Sequence, residues 1–424
     1  MLSIIILAVF VVTMAIGIPI AFSLYFTSFA MLVSMKIPTM MMVQRVIAGI
    51  EKEPLLCIPF FILAGSIMSG GGMTQRLIHF SNLLVGRFRG ALGLVSVLAS
   101  MFFAGLSGSA VADATAIGSV LIPAMKKEGY RADFSAVIIA SAACCGPLIP
   151  PSIPMVVLGI LCSLPIGRLF LAAAFPGIML GIVLLVGAYV SAVRHNYPKH
   201  HPSPMREVLK GLKTSGLALA MPLILVLGIA SGAVTDSELG VLAALYALIV
   251  GILFYRELNA KKMVECLKDT VLSTAIVMFI MGAASLLGWL LTVSGVPQFV
   301  SKFIFSVTSS KVLILAMINL LLLAVGCIMD PIAAIMLLAP LLISLGTSIG
   351  MDPIHFSVMI VFNLMIGNLT PPVGMTLIIA SRFAGISIGE AARAVLPYIG
   401  LSLIVLIIIT AFPWFSLYLA NLFF

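Results

Sequence analysis

The sequence predicts an all-α, polytopic membrane protein built as an inverted repeat, with two re-entrant hairpins and two broken helices. Three observations lead there. The 424 residues are 62% hydrophobic and 9% charged, and 23 Lys and Arg with 14 Asp and Glu cannot solvate a globule of this size. The apolar residues fall in long runs between short polar clusters, each run near the ~20 residues a helix needs to span a bilayer. A Gly-x-x-x-Pro-Pro pattern also occurs twice, at Gly146 and at Gly367, and 367 − 146 = 221. No segment alternates polar and apolar residues like a barrel strand, so helices must satisfy the backbone.

The formal charge of +9 does not point to nucleic acid, because the basic residues sit in short loops between apolar runs. The six Cys are mostly scattered, and the adjacent Cys144 and Cys145 lack metal-type spacing, so they read as small core residues. The first ten residues are apolar with no basic segment before them, which argues against a cleaved signal peptide.

Loop charges set the topology. The most basic loop carries Arg194, Lys199, Arg206, Lys210 and Lys213 against Glu207 alone. It is therefore cytoplasmic, and residues 194–213 link a first half, 1–193, to a second half, 214–424. Pro202, Ser203 and Pro204 suit a linker, and His195, His200 and His201 there read as solvated side chains. Residues 216–230 cross outward to a loop bearing Asp236 and Glu238, and 239–254 return to Arg256, Lys261, Lys262 and Lys268. Residues 270–291 then cross outward again. In the first half, 55–68 run inward toward Arg76, Arg87 and Arg89, 134–162 run outward from Lys126, Lys127 and Arg131, and 169–193 run inward to the linker. Residues 1–33 fit one tilted helix, or two shorter ones meeting at Gly17-Ile18-Pro19; two would place Met1 outside.

Two segments fit no simple crossing. Residues 91–126 contain Asp113 as their only charge before a basic end, are too short to cross twice, and have basic clusters at both ends. A re-entrant hairpin turning at Gly105-Leu106-Ser107-Gly108-Ser109 resolves this, since small and polar residues suit a non-helical tip. Residues 312–350 behave alike, with Asp330 their only charge and Gly326 near the turn, and they open outward. The offset of 221 pairs Gly105 with Gly326, Ser109 with Asp330, Ala112 with Ala333, and Pro176 with Pro397, without a gap. With the loop assignments, the halves become an inverted-topology repeat.

The paired prolines carry the chemistry. Pro150-Pro151 and Pro371-Pro372 each remove two amide donors, and the residue before a proline avoids the helical region. The spans at about 133–162 and 354–382 should each break into two half-helices around free carbonyls. In hydrocarbon such carbonyls call for a bound cation, and Na⁺ is hard and oxygen-seeking. A plain proline kink relieved by neighbouring helices explains one such motif; two, each with its own hairpin tip, favour ion and substrate sites. The first site draws on Ser107, Ser109, Gly146 and Ile149 or Pro150, and the second on Gly326, Asp330, Gly367 and Thr370. Asp330 has no Lys or Arg partner within a span and could coordinate a cation, hold substrate or carry a proton. Asp113 invites the same reading, with capping of its hairpin's second arm as the alternative. Asn319 and Asn363 read as helix–helix hydrogen bonders; Asn368, inside a break, fits either role. No basic residue lies deep in either half, so an anionic substrate would rely on half-helix N-termini, hydroxyls and co-bound cations.

The stretch Gly105-Leu106-Ser107-Gly108-Ser109-Ala110, the break at 146–151 with Ser152-Ile153-Pro154 after it, residues 367–374, and Ile58-Pro59-Phe60-Phe61-Ile62-Leu63-Ala64-Gly65 resemble the large membrane subunit of TRAP transporters, the tripartite ATP-independent periplasmic type. The resemblance covers nearly the whole chain. It implies a multi-pass protein of the bacterial or archaeal inner membrane and an elevator mechanism coupled to Na⁺, with at least two ions and no organic cofactor. It also implies uptake of a carboxylate-bearing solute such as a C4-dicarboxylate, a sugar acid or a sialic acid. The implied partners are a small four-helix membrane subunit and a periplasmic substrate-binding protein. Since no extra N-terminal helices are evident for a fused small subunit, that partner is expected to be a separate polypeptide. On matching positions, Ser107, Ser109 and the 146–151 break fall to one Na⁺, and Gly326 with the 367–372 break to another. Substrate contacts are then expected from Ser107, Gly108, Ser109, Asp330, Asn368 and Thr370.

Three other readings compete. A self-sufficient Na⁺- or H⁺-coupled anion transporter shares the repeat and needs no partners. A channel is disfavoured because the breaks look like binding sites rather than a continuous polar pore. An intramembrane enzyme needs a base at membrane depth, whereas His195, His200 and His201 lie in the linker and His79 and His355 near span ends.

Overall fold

The computed structural model describes every residue except 1–8, 11, 14–15, 200–203 and 233. Met1, His200, His201, Pro202 and Ser203 thus lie outside the described residues. The described chain is helical throughout, with seven helices long and apolar enough to cross a membrane.

In chain order the helices are α1 (Ile20–Ser34), α2 (Met40–Ile50), α3 (Cys57–Gly70), α4 (Met73–Val85), α5 (Ala91–Ser107), α6 (Ala110–Lys127), α7 (Ala132–Ala143), α8 (Ile153–Cys162), α9 (Ile166–Arg194) and α10 (Met205–Ala230). There follow α11 (Asp236–Ile249), α12 (Ala260–Val293), α13 (Val296–Val307), α14 (Lys311–Gly326), α15 (Pro331–Ser348), α16 (Pro353–Leu369), α17 (Met375–Ala384), α18 (Ile388–Ala411) and α19 (Trp414–Phe423). Adding 221 to the bounds of α6, 110 and 127, gives 331 and 348, which are the bounds of α15. The same addition carries the start of α7, 132, onto 353, the start of α16.

Local chemistry explains the helix ends. The Ser109 hydroxyl caps α6 by accepting from the Ala112 N–H, and Asp330 caps α15 by accepting from the Ile332 N–H at 2.9 Å. Lys126 and Lys127 close α6 at the end where the helix dipole favours cations. Thr235 with Glu238 and Ser387 with Glu390 form capping boxes that start α11 and α18.

The core centres on the first arms of the two broken helices. Every residue of α7 from Phe134 to Ala143 is buried, and so is every residue of α16 from Ile354 to Leu369. A helix apolar on all sides has no solvent or lipid face and belongs at the centre. Asn363 on α16 reaches α14, donating from Nδ2 to the Asn319 side-chain oxygen at 2.7 Å, as expected for the pair.

Several expectations are refined. The first tip is tighter than the 105–109 turn, because α5 stays helical through Ser107 and only Gly108 and Ser109 turn. Gly108 has φ +61°, and a Cβ there would stand 2.5 Å from the Pro151 carbonyl oxygen, so only glycine fits the approach. Asp113 does not cap α6, since Ser109 holds that position. A turn at Ile16 and Gly17 precedes α1, favouring the two-piece reading of the N-terminal segment. The linker is helical from Met205 onward, and α12 begins at Ala260, so Lys261, Lys262 and Lys268 lie on a helix ~51 Å long. Helices α2, α4, α13 and α19 were not anticipated, being short and flanked by stronger signals.

Candidate functional site

Both Pro-Pro motifs interrupt their helices. Residues 144–152 separate α7 from α8, and residues 370–374 separate α16 from α17; both Pro-Pro bonds are cis. Each hairpin tip is tied to its own break by one backbone hydrogen bond. The Ile153 N–H donates to the Gly108 carbonyl at 3.4 Å, and the Val373 N–H donates to the Cys327 carbonyl at 3.2 Å.

At the first break, Ser107 donates its hydroxyl proton to Asp113 Oδ1, which also keeps the tip closed on itself. The other carboxylate oxygen, Asp113 Oδ2, is buried with no hydrogen-bond partner among the described residues and lies against Gly146, where a Cβ would collide with it. The Gly146, Ile149 and Pro150 carbonyls accept no backbone hydrogen bond among the described residues. Ser152 donates to the Pro147 carbonyl at 2.5 Å and caps α8, fixing the far side of the unwound stretch.

The second break differs in detail. Gly367 remains in the last turn of α16, and its carbonyl accepts the Thr370 N–H at 2.8 Å, so the Gly367 carbonyl itself is not free. The Thr370 hydroxyl donates to the Ile366 carbonyl at 2.6 Å, leaving its oxygen lone pairs to point elsewhere. Gly326 and Gly367 let α14 and α16 touch; a Cβ on Gly367 would stand 2.5 Å from Gly326 Cα. Thr376 donates to the Asn368 carbonyl at 3.1 Å, holding the start of α17 against the end of α16.

The two halves meet at one place. A small cavity of about 40 Å³ is lined by Gly108 and Ser109 from the first tip, Pro147 and Pro154 from the first break, Asp330 from the second tip, and Asn368 from the end of α16. It adjoins a larger cavity of about 560 Å³, which shares Ser109, Ile153 and Ile332 with it and extends past Ser107 and Thr115 to Ser66, Ser273 and Asp269. Neither cavity is lined by Lys or Arg. Of the residues singled out from sequence, Gly108, Ser109, Asp330 and Asn368 therefore share a chamber, and Ser107 lies just beyond it. Gly146, Ile149, Pro150, Gly326, Gly367 and Thr370 stand behind the tips. The sequence gives Asp113 the same candidate roles as Asp330, with capping as the alternative and no assignment to either site, and it does not single out Ser66, Thr115 or Ser273. The signal for Asp113 was its solitary charge in the 91–126 segment; hydroxyls on helices leave no comparable signal.

Broken helices, polar hairpin tips and a cavity between them are the architecture of a membrane permease. Residues 7–415 match the family described as tripartite ATP-independent periplasmic transporter, DctM component. The chain belongs to this family. It is 38% identical over 408 residues to the sialic acid TRAP transporter large permease protein SiaM of Vibrio cholerae, covering 96% of both chains. It is 37% identical over 431 residues to the C4-dicarboxylate TRAP transporter large permease protein DctM of the same species, covering 96% of this chain and 95% of the relative. The fold also resembles the solved MtrF efflux pump of Neisseria gonorrhoeae, with a TM-score of 0.62, 13% identity, and 91% and 85% of the two chains covered. The protein is accordingly a TRAP transporter large permease, a multi-pass inner-membrane protein, and not an enzyme. Its family works with a small membrane subunit and a periplasmic binding protein.

Proposed function

We propose that this permease imports a carboxylate-bearing solute together with Na⁺ by an elevator movement of its hairpins and broken helices. The observation that carries the reading is the Asp113 carboxylate. One of its oxygens is buried without a partner, beside Gly146 and an unwound stretch of free carbonyls. An ionised carboxylate in that setting costs several kcal/mol unless a cation or proton meets it. Asp113, Ser107 and the Gly146, Ile149 and Pro150 carbonyls offer an all-oxygen donor set, the chemistry by which unwound transporter helices take Na⁺. Ser109, tied up in capping α6, would then serve substrate through the chamber rather than the ion. The second ion would sit between Gly326, Thr370 and the carbonyls following Gly367. Asp330 would stand on the chamber wall, where its charge sets the order of events: cations enter first and an anion follows.

The elevator reading rests on the matching helix bounds of the two halves and on loop charges that orient them oppositely. In it, residues 91–126 and 312–350 are re-entrant hairpins, and 1–193 and 214–424 are inverted repeats joined by the linker 194–213. The solute belongs to the class that relatives are named for, sialic acid and C4-dicarboxylates among them. A small membrane subunit is the expected partner, and the binding protein delivers the solute.

The test is reconstitution of the purified permease with its small subunit in liposomes. Uptake should require an inward Na⁺ gradient and the loaded binding protein, and Thr370→Ala or Ser107→Ala should weaken Na⁺ activation. Uptake without any binding protein would favour the self-sufficient transporter. Unchanged Na⁺ activation in both variants would count against the sites.

A further inference from the structure

Away from the chamber, a second cavity of about 440 Å³ opens between α9, α18 and the start of α7. Its two ends differ in chemistry. Val186 and Val190 of α9, 58% and 42% exposed, line the apolar end, which faces outward from the helix packing. At the other end stand Arg131, Asp133, Arg194 and His195. Gly187 also lines the cavity: a Cβ there would stand 2.5 Å from Leu401 Cδ1, so α9 and α18 approach closely at this level.

The charges do not cancel. Asp133 is fully engaged, accepting from Arg131 Nε at 3.0 Å, from Arg131 Nη2 at 2.5 Å and from the Phe134 N–H at 2.7 Å. Arg194 is exposed and has no ion-pair partner among the described residues. Two arginines against one aspartate leave one net positive charge with His195 neutral. Arg89 donates to Asn196 Oδ1 at 2.8 Å, which holds a further basic side chain at this end. The basic loops put this end at the cytoplasmic surface of the bilayer.

We propose that the groove is a binding site for an anionic glycerophospholipid of the cytoplasmic leaflet. Its phosphate pairs with Arg194 and the outer edge of Arg131, and an acyl chain lies along Val186 and Val190. A basic pocket between helices on the cytoplasmic side, open to the apolar phase below, matches such a headgroup and its chain together. A free inorganic anion would use the arginines but has no use for the valine floor. A zwitterionic lipid would fill the floor but gain nothing from the uncompensated charge.

Native mass spectrometry of the full-length permease tests this after incubation with phosphatidylglycerol or phosphatidylcholine of identical acyl chains. Wild type should retain phosphatidylglycerol several-fold more than phosphatidylcholine. Arg194→Gln should lower phosphatidylglycerol retention about fivefold while leaving phosphatidylcholine retention alone. Val190→Trp, which fills the floor without touching the charge, should lower retention of both. Equal retention of the two lipids by wild type would overturn the proposal, and that comparison needs no variant to fold. Displacement of the lipid by millimolar inorganic phosphate would overturn it in favour of a free-anion site.

Discussion

The thiol of Cys144 donates to the carbonyl oxygen of Met365 at 3.3 Å, and these two residues are separated by 221 positions, the spacing of the repeated Gly-x-x-x-Pro-Pro motif. A residue meets its own counterpart only on the axis relating two copies. The contact therefore lies where a two-fold between the halves would pass, just before each helix breaks. If the halves are inverted, that axis lies in the membrane plane.

Side-specific labelling checks the orientation. Lys127 and Ser348 are the last residues of α6 and α15, both exposed, and 127 + 221 = 348. In a background without other reactive thiols, Lys127→Cys should react with an impermeant maleimide from the cytoplasm and Ser348→Cys from the periplasm. Labelling of both from one side would contradict the inverted repeat.

Asp113→Asn should remove most Na⁺ stimulation of uptake while the protein still folds, because the amide keeps the shape and loses the charge. Ser107→Ala should do so less severely, since it takes away one donor to Asp113 Oδ1 and leaves the carboxylate. Uptake as a function of Na⁺ concentration in proteoliposomes is the measurement. An Asp113→Asn variant with an unaltered Na⁺ response would remove Asp113 from the coupling site.

Gly367→Ala should destabilise the fold itself. The added methyl would meet Gly326 Cα and carbonyl carbon at 2.5 and 2.7 Å, which are backbone atoms that cannot rotate away. Overpacking of this kind costs about 1–3 kcal/mol, read as a lower melting temperature in detergent. Gly288→Ala is the control, since a Cβ there meets nothing within 4 Å.

The Asn319–Asn363 pair should couple by about 1 kcal/mol in a double-mutant cycle to Ala, the range for hydrogen bonds between membrane helices. Thermal unfolding of the two single variants and the double variant provides it. Strict additivity would mean that each side chain finds another partner when the first is lost.

Much of the architecture was legible in the chain because a bilayer leaves few choices. Apolar run length and basic loops outlined α3, α9, α10 and α11, and the Pro-Pro pairs marked both breaks at their true positions. Legibility failed where a short element depends on its neighbours. Helix α2 carries Arg45, whose guanidinium stacks 4.5 Å from the Trp289 ring of α12, a partner more than two hundred residues away. Helices α4 and α13 start at left-handed Gly72 and Gly295 after longer apolar helices, and no polar cluster announces them.

The candidate site divides in the same way. The chain alone determined which backbone groups would lose their partners, because proline has no amide proton and disfavours helix in the residue before it. It also determined that Ser109 and Asp330 would occupy matching tips, since that follows from counting. Only the tertiary structure decided what each side chain does there. Ser109 and Asp330 each cap their helix and line the shared chamber, and Asp113 turns inward to leave one oxygen unpaired beside Gly146. Those outcomes depend on how closely two helices approach and which rotamer the gap allows, and neither is encoded in the spacing of residues along one chain.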